Sequence, residues 1–326
     1  MVHVYPFQAV RPAPGKAEEI AAVPYDVVSA EEAREIIEKN PLSFLRISRA
    51  DALLPDKDPY SADVYKLSRD IFDEYQNSGL FLQDETAAMY VYRVHDADRT
   101  YTGIACCADT REYESGEIRR HELTRYDKEE DRTRHIDAMN ANTGPVVLLH
   151  GSHAEIKAIL KKSTENREPD MVAHAANGSV HEIFAIRDEA VITRLHEIFV
   201  SIPALYIADG HHRCKSAVNV VEKRSKGGVK VPEETHHVLS VVFAEDEVKV
   251  HGYSRLLTDL APLTPDSFLK KISDIAHVTP YGDADRSQFT LTPKIGGEGD
   301  HVFHLYLKGK WYECVIPRNP KITDIR

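Results

Sequence analysis

The stretch LYIADGHHRCKSAV, residues 205–218, changes its period halfway along. Its opening residues, with Ala204, read as a short strand, ALYIAD; Gly210 permits a tight turn; and a helix is predicted from about His212 to Lys223. A chain that passes from strand through glycine into helix leaves the first backbone N–H groups of that helix unpaired, and such a terminus attracts anions. Arg213 adds a fork of donors suited to phosphate oxygens, and His211 and His212 add imidazole donors. Asp209, at the strand end, can hold a divalent metal through oxygen or simply cap the helix.

Working outward, the rest of the chain decides what kind of sheet receives this unit. AAMYVYRVHD and RTYTGIACCAD flank a short polar turn and read as a hairpin; MVAHAA and SVHEIFAIRD flank Asn177-Gly178 and read as another. PVVLLH is a further short strand, HHVLSVVFAE and VKVHGYSRLL a strand pair, and HVFHLYLKGKWYECVIP a hairpin turning at Lys308-Gly309-Lys310. Helices are predicted after Ser29, whose partner Glu32 completes a capping box, and over the stripe Tyr60, Val64, Leu67, Ile71 and Tyr75 that Gly79 closes. Others follow over AEIKAILKKSTEN, EAVITRLHEIF and TPDSFLKKIS. Hairpins outnumber strand-helix-strand steps, so a mixed α+β fold with sheets built largely from hairpins and flanking helices is expected, not a doubly wound parallel sheet. One elaborated domain over residues 1–326 accommodates this, with an N-terminal segment (residues 1–115), a middle segment (residues 116–260) that carries both predicted phosphate-binding motifs, and a C-terminal segment (residues 261–326).

Lys and Arg total 41 against 52 Asp and Glu, a formal net charge of -11, which argues against general attraction to nucleic acid or an anionic membrane. Any anion site must therefore be local. The amino terminus lacks a basic region ahead of an apolar run, and no stretch approaches the roughly 18 apolar residues of a membrane span, so a cytoplasmic protein is expected. Cysteines 106, 107, 214 and 314 show no CxxC spacing and are expected to be reduced and mostly buried. There is no GxGxxG and no GxxxxGK[ST], and HELTR at 121–125 departs from the zincin HExxH where Arg125 replaces the second histidine.

A second constellation spans Gly116 to Pro145. A helix from near Thr124 to Asn140 aligns Arg125, Lys128, Arg132 and His135 on one face, a basic stripe on an acidic protein. Pairs of Arg125 with Glu129 and Lys128 with Asp131 would make it an ordinary surface; a bound phosphate would make it a ligand face. Glu122 is the carboxylate nearest the stripe and can take a proton from a hydroxyl nucleophile, with His121 or His135 as alternates. NANTGP, with Asn142 and Gly144, reads as a shaped turn. In AAVPYDVVS, Tyr25 and Asp26 form either a plain turn or a substrate contact, while His236, His237 and Cys214 read as structural.

YPFQAVRP, AAVPYDVVS, NPLSFLRISR, IRRHELTRYDKEEDRTRHI, NANTGPV and YIADGHHR, in that order, resemble the domain of unknown function 1015 family of bacterial and archaeal proteins. The run Asp209 to Arg213 is in turn similar to the phosphate-binding turn of the ParB and sulfiredoxin-like superfamily, which includes free serine kinases. That likeness implies a ParB/sulfiredoxin-like core, magnesium assisted by Asp209, phosphate contacts from His211, His212 and Arg213, and Mg2+ with ATP or another nucleoside phosphate as cofactors. Family members continue through a C-terminal segment rich in Pro, Lys, Trp and Phe, whereas this sequence ends at NPKITDIR. The expected activity is phosphoryl transfer from the nucleotide to a small hydroxyl-bearing metabolite, first of all free L-serine. In that expectation Glu122, Asp209 and His212 act in catalysis, Gly210, His211, Arg213, Arg125, Lys128, Arg132 and His135 hold phosphate, and Tyr25, Asp26 and Asn142 meet the substrate. A nucleotide-dependent switch of the ParB kind and a phosphatase using the same anion pocket are the alternatives.

Overall fold

Adjacent β-branched and aromatic runs at 87–109 pair antiparallel and form the middle of a mixed sheet. The structure is a computed structural model that describes residues 1–97, 99–249, 255–282, 291, 294–295 and 300–317. It has two compact units, Met1–Val248 and Lys249–Arg326. In chain order the first begins with β1 (Val4–Tyr5), β2 (Val10–Pro12), α1 (Ala17–Ile20), α2 (Ala30–Lys39), α3 (Leu45–Ser48), α4 (Ala62–Asn77), β3 (Phe81–Gln83) and β4 (Met89–His95). It continues through β5 (Thr100–Asp109), α5 (Thr110–Ser115), β6 (Ile118–Arg119), α6 (Tyr126–Met139), β7 (Val146–His150), α7 (Ala154–Thr164) and β8 (Met171–His174). β9 (Val180–Ile186), α8 (Glu189–Ser201), β10 (Leu205–Asp209), α9 (His211–Arg224) and β11 (His237–Ala244) complete it.

The main sheet runs β6-β10-β7-β11-β5-β4-β9-β8, with β1 joined to β5. Only β7 with β11 and β6 with β10 pair in parallel among the described residues, so the mixed α+β, hairpin-rich architecture expected from sequence holds. Asn177-Gly178 does make the β8–β9 turn, with Gly178 at φ +87°. Half of the second strand expected after β11, residues 250–254, lies outside the described residues, and its described ends at 248–249 and 255–257 are not strand. β1, β2, β3 and β6, of two or three residues each, were not expected, since two or three residues show no period.

Alternation along the strands sorts their side chains between two faces. Met89 and Val91, Ile104 and Cys106, and Phe184 and Ile186 join one large core with Leu195, Ile198 and Phe199 of α8 and with Ala217 and Val218 of α9. Tyr90 and Ala185, one residue out of step, belong to a small cluster on the opposite face. A separate core built around Ile71, Phe72 and Tyr75 of α4 takes in Ile47 and Met139. Each large side chain fully buried there stabilises the fold by roughly 1.5–3 kcal/mol. The α4 stripe is thus core as predicted, apart from Tyr60, which lies exposed before the helix. Ser29 accepts from the Glu32 N–H and Glu32 from the Ser29 N–H, so the capping box of α2 is present.

The second unit packs α10 (Pro265–Ser273) on an antiparallel sheet of β12 (His277–Gly282), β14 (Lys310–Ile316) and β13 (His301–Leu307), with β14 in the centre. Lys308 and Gly309, both at positive φ, make the predicted β13–β14 turn. All four cysteines are free and buried, and burial pushes the Cys107 and Cys214 thiols up to about 12, which leaves them unreactive. Among the described residues no helix is long and apolar enough to cross a membrane.

Candidate functional site

The parallel pairing of β6 with β10 aligns Ile118 with Leu205 and Arg119 with Tyr206, so both chains leave the sheet at the same edge. Ligands in sheets with parallel strands gather at such carboxyl ends. From β6 come His121 and Glu122; from β10 come Asp209, Gly210 and the start of α9. The β10–β7 register shifts between Ile207 and Asp209, which bends the strand just before its turn. Gly210 then sits at φ +92°, a left-handed conformation that disfavours any side chain, and α9 begins at once with His211.

His211 is buried, with its ring edge-on to that of His121 at 4.4 Å. Its Nδ1 lies 3.2 Å from Glu122 Oε1, and its Nε2 accepts from the His121 backbone N–H at 3.4 Å. Burial lowers the His211 pKa below the ordinary histidine value, with the nearby Glu122 charge opposing, so the imidazole is neutral at neutral pH. His212 Nε2 accepts from the Arg125 N–H at 3.1 Å, which ties the 121–125 segment to the first turn of α9.

Arg213 folds back over the turn that precedes it. A Cβ added to Gly210 would lie 3.0 Å from Arg213 Nε, and one added to Gly144 would lie 3.4 Å from Nη1, so two glycines admit the guanidinium against the backbone. Its Nη2 pairs with Asp209 Oδ2. The Arg213 side chain is 15% exposed and that of Asp209 68%, so the carboxylate lies on the open side of the pair. The bend at 210 is therefore open to solvent rather than walled off.

The helix predicted near Thr124–Asn140 is α6, but its basic residues do not share one solvent-facing stripe. Arg125 lies outside the helix, at its N-cap, and pairs with Asp127 at 2.7 Å; Lys128 is exposed. Arg132 and His135 face inward. The Arg132 guanidinium carbon lies 4.1 Å from the centre of the Tyr25 ring, and Nη2 is 2.8 Å from Asp131 Oδ2. Tyr25 has its pKa raised by burial, with Arg132 and then Arg213 pulling it down, so arginines from α6 and α9 both bear on one phenol. Arg49 Nη1 donates to Tyr25 O at 2.9 Å and holds that loop in place; Asp26 is exposed. Asn142 donates to His237 O at 3.4 Å and so braces the start of β11.

His135 is fixed as a structural group. Its Nε2 donates to Ile47 O at 3.1 Å, and burial together with the Arg132 charge lowers its pKa to about 4. Below the ordinary value near 6.5 the unfolded chain binds this proton and the folded chain does not, so stability falls as pH falls from 6.5 towards 4. The expected contribution is about 3 kcal/mol over that window. Denaturant midpoints measured from pH 7.5 to 4.5 should show this slope, and His135→Gln should flatten it; an unchanged slope in that variant assigns the loss to other groups.

Sequence reading named His121, Glu122 and His211 but not their convergence, and it missed Asp131, Tyr65 and Arg49 as the supports of Arg132 and Tyr25. The stretch NPLSFLRISR contains Arg49, whose position between two apolar helical turns is the one available signal. Fold and site together define a mixed α+β protein with an open, arginine-lined helix start at a sheet edge. A family model described as "Protein of unknown function (DUF1015)" matches residues 4–325, and the chain belongs to that family. No curated protein and no solved structure matches it.

Proposed function

We propose that the start of α9 is a phosphate site and that the protein transfers a phosphoryl group from magnesium ATP to the hydroxyl of a small metabolite, with free L-serine the first candidate. The observation that carries this is the seat of Arg213: a guanidinium laid over two glycines at an open helix start, paired with an exposed carboxylate. The choice of L-serine and of a ParB/sulfiredoxin-like core rests on the likeness of residues 209–213 to the turn of the free serine kinases.

Phosphoryl transfer is mostly placement and charge neutralisation, which suits this inventory. The first N–H groups of α9, Arg213 and His212 take phosphate oxygens, and exposed Lys128 adds charge. Asp209, which pairs with Arg213, would hold magnesium in the nucleotide complex, and the ion would offset phosphate charge. Glu122, exposed beside His211, accepts the proton of the incoming hydroxyl.

Purified protein incubated with magnesium ATP and each amino acid should yield phosphoserine and ADP. No phosphoserine, with nucleotide consumption no greater than in the blank, overturns the proposal. Glu122→Gln should keep nucleotide affinity and lower turnover by about a hundredfold or more, the size of a lost general base. Undiminished turnover would remove Glu122 from that role.

A further inference from the structure

We propose that His121, Glu122 and His211 bind one divalent transition-metal ion of the zinc or cobalt class. This goes beyond the phosphotransferase proposal, whose magnesium sits on the oxygens of Asp209, and it stands or falls separately. Among the described residues these three form the one group of three or more metal-ligating side chains whose donor atoms all lie within 4.8 Å of one another.

The spacing suits an ion. Donors about 2.0–2.2 Å from a metal, at tetrahedral to right angles, stand about 2.8–3.6 Å apart, and His211 Nδ1 is 3.2 Å from Glu122 Oε1. His211 is held by burial, while His121 and Glu122 are exposed and free to close the remaining distance. With Nδ1 on the ion the ring proton moves to Nε2, and the long 3.4 Å contact to the His121 N–H is given up.

Donor type decides the metal. Two imidazoles and one carboxylate suit zinc, cobalt or a similar ion, whereas magnesium prefers oxygen throughout. Three protein ligands with two of them at the surface leave a position for water or substrate, the pattern of a reactive site rather than a closed structural one. Glu122 would bind through Oε1 and keep Oε2 for a proton, which is compatible with its proposed part in phosphoryl transfer.

The test uses tag-free, chelator-treated full chain titrated with Zn2+ or Co2+ alone, by calorimetry and by the visible ligand-field bands of cobalt. One ion per chain is expected. His121→Ala and Glu122→Gln, both surface changes that leave the fold intact, should each weaken binding by about tenfold or more and alter the cobalt bands. Arg213→Ala should leave metal affinity unchanged while it weakens nucleotide binding, so the two proposals fail by different measurements. No bound ion, or affinity and bands unchanged in both His121→Ala and Glu122→Gln, overturns the inference.

Discussion

Arg213→Ala should weaken the binding of magnesium ATP by about ten- to a hundredfold, because one fork of charge-assisted hydrogen bonds to phosphate contributes about 1.5–3 kcal/mol. The fold should survive the change. Arg213 pairs with a carboxylate that is 68% exposed, and such pairs add little to stability once solvent screening is counted. Denaturant midpoints should therefore move slightly while calorimetric nucleotide affinity moves greatly. Arg213→Lys should fall between, since it keeps the charge but loses the planar fork that lies over Gly210 and Gly144. Wild-type affinity in Arg213→Ala would sink the phosphate site at α9.

What sequence reading could reach was set by range. The strand-glycine-helix change at 205–218 is local punctuation, and β10, Gly210 and α9 appear where it placed them, within a residue. The meeting of His121 with His211 joins residues 90 apart and depends on a parallel pairing with β6, a strand of two residues with no period to detect. The 3.6-residue period correctly brought Arg132 and His135 to one side of α6, but it could not say which way that side looks. The answer came from tertiary partners: the Tyr25 ring receives Arg132, and the Ile47 carbonyl receives His135. A basic residue on a polar helix reads as solvated until such partners are known, since long cations are rarely buried without one.

Asp131 should prove the costliest single truncation around the site. Its carboxylate accepts from Arg132 Nε at 3.0 Å and from the Tyr65 hydroxyl at 2.9 Å, and the Asp131 and Arg132 side chains are only 11% and 10% exposed. Tyr65 has its pKa raised by burial and by the Asp131 charge, so this phenol stays protonated and donates. Asp131→Ala leaves a buried guanidinium and a buried hydroxyl without their acceptor, and an orphaned buried charge costs about 3–5 kcal/mol. Equilibrium urea unfolding should show most of that loss. The double variant Asp131→Ala/Arg132→Met should recover much of it, because removing both partners removes the desolvated charge as well. A double variant no more stable than the single would mean that Asp131 acts through Tyr65 and the backbone alone.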